Sequence, residues 1–386
     1  MNPKRISFFR FAIYFFLLLP SFLCVKSYAF ERHLWDEGWR FALHNDDKAH
    51  EIAFDDHAWR MLDLPHDWAI EGDFYALNPS GANGGALPGG IGWYRKHLNL
   101  NDNDASSRYV LHFDGAYMNT SVYVNGQLVG MRPYGFISFS YDITPYLKKQ
   151  GDNVVAVKVD NSKQPNSRWY TGCGIYRHVY LMKSSDIRIE EWGVQALTEV
   201  KKGKGKVNLN TKIENPSGRS RRVIVHQTLW NKAHQIVSKA SKACQVEANG
   251  ATISQLLNVN KPQLWSLESP NLYTVTTEIE ENGRILDHDT ISIGLRNVAF
   301  DVKKGFFLNG KNIKINGVCL HGDLGCLGTA INEDALYRQL LMMKDMGVNA
   351  IRCSHNPPAP ELLNFCDSMG LLVMDEAFDS WMQGKT

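Results

Sequence analysis

Residues 345–379 read DMGVNAIRCSHNPPAPELLNFCDSMGLLVMDEAFD, and this stretch decides the fold. Gly347 stops a helix. Residues 349–353 then form a short apolar run, which reads as a buried strand. A polar turn, Ser354-His355-Asn356, and two prolines end it. Helix resumes over 359–369, with Leu362, Leu363, Phe365 and Cys366 as its apolar positions, and Gly370 stops it. A second apolar strand over 371–374 runs out into Asp375 and Glu376. Strand runs of four to six residues alternating with helices of this length predict βαβ units and a parallel sheet.

Working outward, KINGVCLH at 314–321 reads as one strand further upstream. Asn332 is a good helix N-cap, and Glu333 and Asp334 place negative charge in the first turn, where the helix dipole favours it. Leu336, Leu340 and Met343 recur at helical spacing. All three strands end in polar groups: His321 and Asp323, then Arg352, His355 and Asn356, then Asp375, Glu376 and Asp379. If the strands are neighbours, these groups meet on one rim, and in (β/α) barrels the C-terminal rim carries the chemistry. Asp375 and Glu376 are adjacent on an extended chain, so they point to opposite faces and do not form a facing acid/base pair.

The order Asn349, Ile351, Arg352, Cys353-Ser354, His355, Asn356, Pro357, then Asp367, Gly370 and 371–374, resembles the first signature of glycoside hydrolase family 2. This is the β-galactosidase, β-glucuronidase and β-mannosidase family, and the resemblance is closest to bacterial β-galactosidase-like members. Asn356 departs from it, standing where an aromatic is usual. Upstream, PHDW (65–68), GWYRK (92–96), FDGAYMNTSVYVNG (113–126) and RWYTGCGIYRHVYL (168–181) resemble the family's sugar-binding jelly roll. Trp265 to Tyr273 resembles a stretch of its immunoglobulin-like domain.

The expected fold is therefore multidomain β plus α/β. A signal peptide occupies 1–29, a jelly-roll β-sandwich 30–185 and an immunoglobulin-like β-sandwich 186–297. The first three βα units of an incomplete TIM barrel occupy 298–386. Short alternating strands support the two sandwiches independently, among them 93–100, 109–113, 121–124, 154–159 and 179–182 in the first. In the second they are 207–213, 223–229, 253–257 and 273–279. Trp39-Arg40-Phe41 opens the first sandwich in this reading. Asn125-Gly126 predicts a type I′ hairpin, and Asn309-Gly310 marks another. The Gly- and Pro-rich run 78–92 predicts a long loop.

The leader reading rests on a basic start (Lys4, Arg5, Arg10), an apolar run over 11–25 and the small-x-small triplet Ser27-Tyr28-Ala29. The run is short for a membrane span. The leader holds four positive charges and no acid, so its removal takes the net charge from +2 to −2. Nothing in that balance points to nucleic acid, or to a membrane once the leader is cleaved. The expected location is the periplasm or the exterior. None of the six remaining cysteines has metal-ligand spacing. Export permits disulfides, but with four of the six near barrel elements, small buried hydrophobes are the expected role.

By resemblance, His355 contacts a sugar hydroxyl and stabilises the transition state. The His321-Gly322-Asp323-Leu324-Gly325 loop contacts substrate, with Asp323 the better candidate than His321. Arg352 braces the rim carboxylates. The block around Arg168 and Trp169 reaches the sugar pocket, Arg168 standing where many relatives have a sugar-contacting Asp. Trp169 and Tyr170 serve either there or in sandwich packing, and Trp381 is a stacking wall or loop packing. Asp379 stands where some relatives gather a magnesium site from Glu and His, so neither metal nor cofactor is expected.

A retaining glycosidase needs two carboxyl groups about 5–5.5 Å apart. In the family these follow later strands, beyond Thr386. The expected activity is exported hydrolysis of terminal β-glycosides, β-galactosides first, with β-linked glycan as partner and a homo-oligomer left open. The chain alone is expected to be inactive. The alternatives are β-glucuronidase or β-mannosidase specificity, or a non-catalytic carbohydrate-binding protein.

Overall fold

The computed structural model describes residues 31–102 and 107–379. The leader sequence and Trp381 lie outside them.

The first unit is two antiparallel sheets packed face to face. One runs in the order Glu31–Leu34, Val179–Ser184, Arg108–Phe113, Phe139–Asp142; the other has six strands with Gly90–Asn101 and Gln150–Asn161 at its centre. Thr120–Val124 alternates buried and half-buried residues, as a strand with one core face must. Trp39, Trp68, Tyr94, Leu111, Phe113 and Ile175 fill the space between the sheets. Asn125 and Gly126 both take positive φ and close the hairpin. The sandwich opens earlier than expected: Glu31–Leu34, exposed throughout, pairs with Val179–Ser184 ahead of Trp39.

The second unit is also a sandwich. Arg188–Lys201, Lys204–Glu214 and Ala251–Asn260 face a sheet in the order Ile236–Val246, Arg221–Trp230, Leu272–Glu281, Arg284–Gly294. Its core gathers Val207, Leu209, Val225, Leu257, Val275 and Ile279.

A small antiparallel sheet, closed by the Asn309-Gly310 hairpin, leads into three parallel strands. These are β1 (Gly317–Leu320), β2 (Ala350–Cys353) and β3 (Leu372–Met374), hydrogen-bonded in that order. Helix α1 (Glu333–Asp345) joins the first two and α2 (Pro360–Met369) the last two. Asn332 caps α1 through its side-chain oxygen, 2.9 Å from the Ala335 amide. Gly370 ends α2 in the left-handed region at φ +76°, a position glycine occupies without strain. Leu336, Leu340, Ile351, Leu362, Cys366 and Leu371 make the core between sheet and helices.

Two interfaces hold this part in place. Trp265 of the second sandwich is fully buried among Phe306, Leu308 and Leu372. Its indole N–H donates to the Asp367 carbonyl at 2.7 Å, at the end of α2. The first sandwich covers the opposite, C-terminal rim of the strands.

The expectation for the cysteines holds for Cys173, Cys353 and Cys366, which are buried and free. It fails for Cys319 and Cys326, which are exposed. Cys319 sits on the face of β1 away from the helices, and Cys326 in the loop that follows.

Candidate functional site

Each barrel strand delivers its polar end to the rim beneath the first sandwich. His321 follows β1, His355 follows β2 through a cis Ser354–His355 peptide, and Glu376 follows β3. Trp169 descends from the sandwich between them. Its ring centroid lies 5.6 Å from His321 and 5.4 Å from His355, and the two imidazoles are 5.7 Å apart. Three rings from three distant segments thus pack on one another at one place. The Trp169 indole N–H is shielded and has no acceptor among the described residues.

Next to the rings lies an open hollow of about 550 Å³, lined by Arg168, Arg352, His355, Glu376, Phe378 and Asp379. Glu376 is its fixed point. It accepts from Arg352 Nε at 2.7 Å on one oxygen and meets His355 Nδ1 at 2.7 Å on the other. Desolvation raises the Glu376 carboxyl, but the hydrogen bonds from His355 and Arg352 outweigh it and hold the group below the usual carboxylate range. An ionised Glu376 requires the proton of a neutral His355 on Nδ1, leaving Nε2 as the acceptor. The 3.1 Å approach of Arg352 Nη2 to that same Nδ1 is then a contact between two donors, not a hydrogen bond. On the far wall Arg168 pairs with Asp379, and Tyr134 donates to the Ala377 carbonyl at 2.8 Å. Both contacts strap the first sandwich onto the chain after β3.

Of the expected residues, Arg168, Arg352 and His355 line the hollow, while His321 and Trp169 stand beside it in the ring stack. Asp323 is half-buried, and its carboxylate accepts from the Gly325 amide of its own loop at 3.3 Å. It does not line the hollow. Asn356 does not reach the hollow either. Successive residues of an extended segment point to opposite sides, so with His355 aimed at the hollow Asn356 turns into the seam between α1, α2 and the sandwich, where it is 7% exposed.

The residue that sequence reasoning missed is Asp67. It is 1% exposed and accepts five hydrogen bonds. They come from the Ala69 amide at 3.1 Å, the Cys173 amide at 2.9 Å, the Tyr170 hydroxyl at 2.5 Å, and the Thr329 amide and hydroxyl at 2.9 and 3.1 Å. One carboxylate therefore ties the turn at 65–68, the block that carries Trp169 and the loop after β1. Desolvation, reinforced by the Asp67 charge, pushes the Tyr170 hydroxyl far above its ordinary range, so it remains a donor. The PHDW motif was the only signal available. Gly172 and Gly328 leave room for this carboxylate, both at positive φ. A Cβ on Gly172 would overlap Thr329 Oγ1 and Asp67 Oδ2. Gly172→Ala is expected to destabilise by about 2–4 kcal/mol, from the left-handed backbone plus overpacking, measured by urea unfolding.

One donor group among the described residues could gather around a cation: His178, Glu333 and Glu361, their ligand atoms within 4.8 Å of one another. It lies on the helix side of the seam, and the His178 ring is already hydrogen-bonded to Asp36 at 2.6 Å. The hollow itself holds two arginines against two carboxylates and offers no comparable set.

Three sequence models of one family match the chain in succession. Residues 34–185 match the sugar binding domain of glycosyl hydrolases family 2, residues 187–296 glycosyl hydrolases family 2 and residues 300–381 its TIM barrel domain. A β-galactosidase from Bacteroides ovatus is 50% identical over 92% of the chain, and a putative β-glucuronidase from Formosa agariphila 38% over 90%. The chain spans 42% and 33% of those two proteins. Among solved structures, a glycosyl hydrolase family 2 member from Bacteroides cellulosilyticus superposes with a TM-score of 0.89 at 36% identity, over 92% of this chain and 47% of that one. A β-glycosidase from Bacteroides vulgatus gives 0.87 at 38%, over 92% and 45%.

Proposed function

The chain belongs to glycosyl hydrolase family 2, and on that premise we propose that its hollow is the N-terminal share of a site for a terminal β-linked sugar, a β-galactoside first. The observation that carries the reading is the convergence of Trp169, His321 and His355 beside the Arg352–Glu376 brace. In its neutral form His355 offers Nε2 as an acceptor to a sugar hydroxyl, and the Trp169 ring packs against the imidazole. The imidazole is held by Glu376 and needs little reorganisation when a sugar arrives.

The carboxylates described on this rim do not make a catalytic pair. Glu376 is committed to Arg352 and His355, and Asp379 to Arg168. A retaining double displacement needs a protonated acid on one side of the glycosidic bond and a free nucleophile about 5–5.5 Å away. In this reading those two acids come from later barrel strands of a longer protein. The residues here bind and orient the sugar, and the arginines hold their carboxylates out of the reaction.

The galactoside preference is supported by the 321–325 loop and by the similarity to a protein named a β-galactosidase. Several relatives are named β-glucuronidases, which makes glucuronides the second reading. Export, through the basic and apolar first 29 residues, belongs to the same proposal; N-terminal sequencing of the secreted protein tests it. The central experiment compares nitrophenyl β-galactoside, β-glucuronide and β-mannoside on a protein carrying the complete barrel and on these 386 residues. Turnover of the galactoside by the former alone is expected. Preference for the glucuronide would replace the substrate, and turnover by the shorter chain would refute the division of labour.

A further inference from the structure

The block at 168–181 carries one titratable side chain that the proposed sugar chemistry leaves unused, His178. It directly precedes the strand Val179–Ser184, where the first sandwich meets the helices. Glu333 in the first turn of α1 and Glu361 in the first turn of α2 come to the same place. One donor atom from each of the three lies within 4.8 Å of the others. They belong to three distant segments, and none of them lines the hollow.

Helix dipoles favour a carboxylate in a first turn, which would account for the exposed Glu333 by itself. Glu361 needs more. Its side chain is only 12% exposed, and its Oε2 is closed off from solvent without a hydrogen-bond partner among the described residues. Burial pushes its carboxyl above the usual range. On the other oxygen, Oε1 stands 4.0 Å from His178 Nε2, beyond hydrogen-bond reach. Arg177 is the nearby cation, but its guanidinium is spent on the carbonyls of Phe136 and Pro357. A buried carboxylate so placed favours a positive partner at Oε2 that these side chains do not supply.

His178 is set up as a ligand. Its Nδ1 meets Asp36 at 2.6 Å. The neutral ring then donates from Nδ1 and keeps its lone pair on Nε2, the atom that faces Glu361. A carboxylate behind the imidazole is the usual support of a metal-bound histidine. Donors held at about 2.0–2.2 Å from a zinc ion stand about 3.3–3.6 Å apart in a tetrahedron, so these three close on an ion by moving about an ångström.

We propose that His178, Glu333 and Glu361 bind one divalent cation, of the zinc type that accepts imidazole together with carboxylate. The ion clamps the first sandwich to the first turns of α1 and α2, with water in the remaining position.

The probe is Zn²⁺, added to this chain after chelator treatment and followed by equilibrium dialysis. One equivalent per chain is expected, bound at least tenfold more tightly than Ca²⁺, which prefers an all-oxygen shell. Glu333→Gln alters an exposed side chain. It should weaken Zn²⁺ at least tenfold and leave the melting temperature of the metal-free protein nearly unchanged. In the wild type Zn²⁺ should raise the melting temperature and slow amide exchange at 335–337 and 362–364 together. In the variant, at the same concentration, it should do neither. Co²⁺ in place of Zn²⁺ should give a visible spectrum without a thiolate charge-transfer band, which sets the exposed Cys319 and Cys326 apart from the site. The proposal is overturned if no equivalent is retained, if Ca²⁺ binds as tightly, or if a thiolate band accompanies binding. Equal Zn²⁺ affinity in Glu333→Gln overturns it too, since the ion is then adventitious and held elsewhere. None of these readouts depends on the sugar reading.

Discussion

Asp67→Ala is expected to lower stability by about 3–5 kcal/mol, since it leaves several buried donors without their acceptor. The loss should not spread evenly. Ala69 and Cys173 belong to the first sandwich, whereas Thr329 belongs to the loop after β1. The substitution therefore loosens the sandwich and cuts its tie to the barrel strands. Amide exchange should accelerate around 172–173 and 327–331, while the second sandwich keeps its protection. Asp67→Asn keeps the size but turns an NH₂ toward amides that need an acceptor, so most of the loss should remain. Wild-type exchange at 327–331 in Asp67→Ala would show that the seam is held by apolar packing alone.

His355→Ala should have the opposite profile. The side chain is partly exposed, and its bond to Glu376 sits at an open rim, where such pairs contribute about 0–1 kcal/mol. Stability should change little. In a protein with the complete barrel, kcat/KM on the nitrophenyl galactoside should fall by about 10²–10³-fold, the usual cost of removing one preorganised transition-state contact. A pH measurement separates this from a structural defect. Glu376 is held below the ordinary carboxylate range, so its contribution is complete above that range and fades as acid protonates it in the folded state. Without His355 only Arg352 opposes desolvation, so the Glu376 contribution should shrink and its acid-side loss should be complete at a higher pH. An unshifted acid limb, or equal losses of activity and stability, would remove His355 from the role assigned to it.

Much of this architecture could be read from residue order. The barrel strands showed themselves because buried parallel strands are short apolar runs that end abruptly in polar groups, as at Cys353 to His355. Both Asn-Gly hairpins were visible because few other pairs accept positive φ at two successive positions. Three strands of the second sandwich were not legible. Ile236–Val246 lies at a sheet edge and is largely exposed, so its lysines and serines mask the alternation. Arg188–Lys201 is interrupted by a register shift near Trp192 that breaks its period, and Arg284–Gly294 carries His and Asp within its run. In the site, His321, His355 and Arg352 follow from strand ends. Asn356 was placed on the wrong side because a turn does not announce which of two neighbours faces in. Asp67 was invisible for a different reason: its partners stand up to 262 residues away, and no local pattern encodes a carboxylate that serves three segments at once.

The buried Trp265 and its bond to the end of α2 have a consequence for biogenesis. Chains emerge from the ribosome amino end first, at about 5–20 residues per second, and domains tend to fold as they appear. Both sandwiches are thus complete before β3 is made, and the indole is already in position when α2 arrives to receive it. The opening strands of the barrel need not wait for their later neighbours to find a surface to settle on. Stalled nascent chains in which a linker after β3 carries α2 clear of the ribosomal exit tunnel should already protect α2 from protease, and Trp265→Ala should remove that early protection.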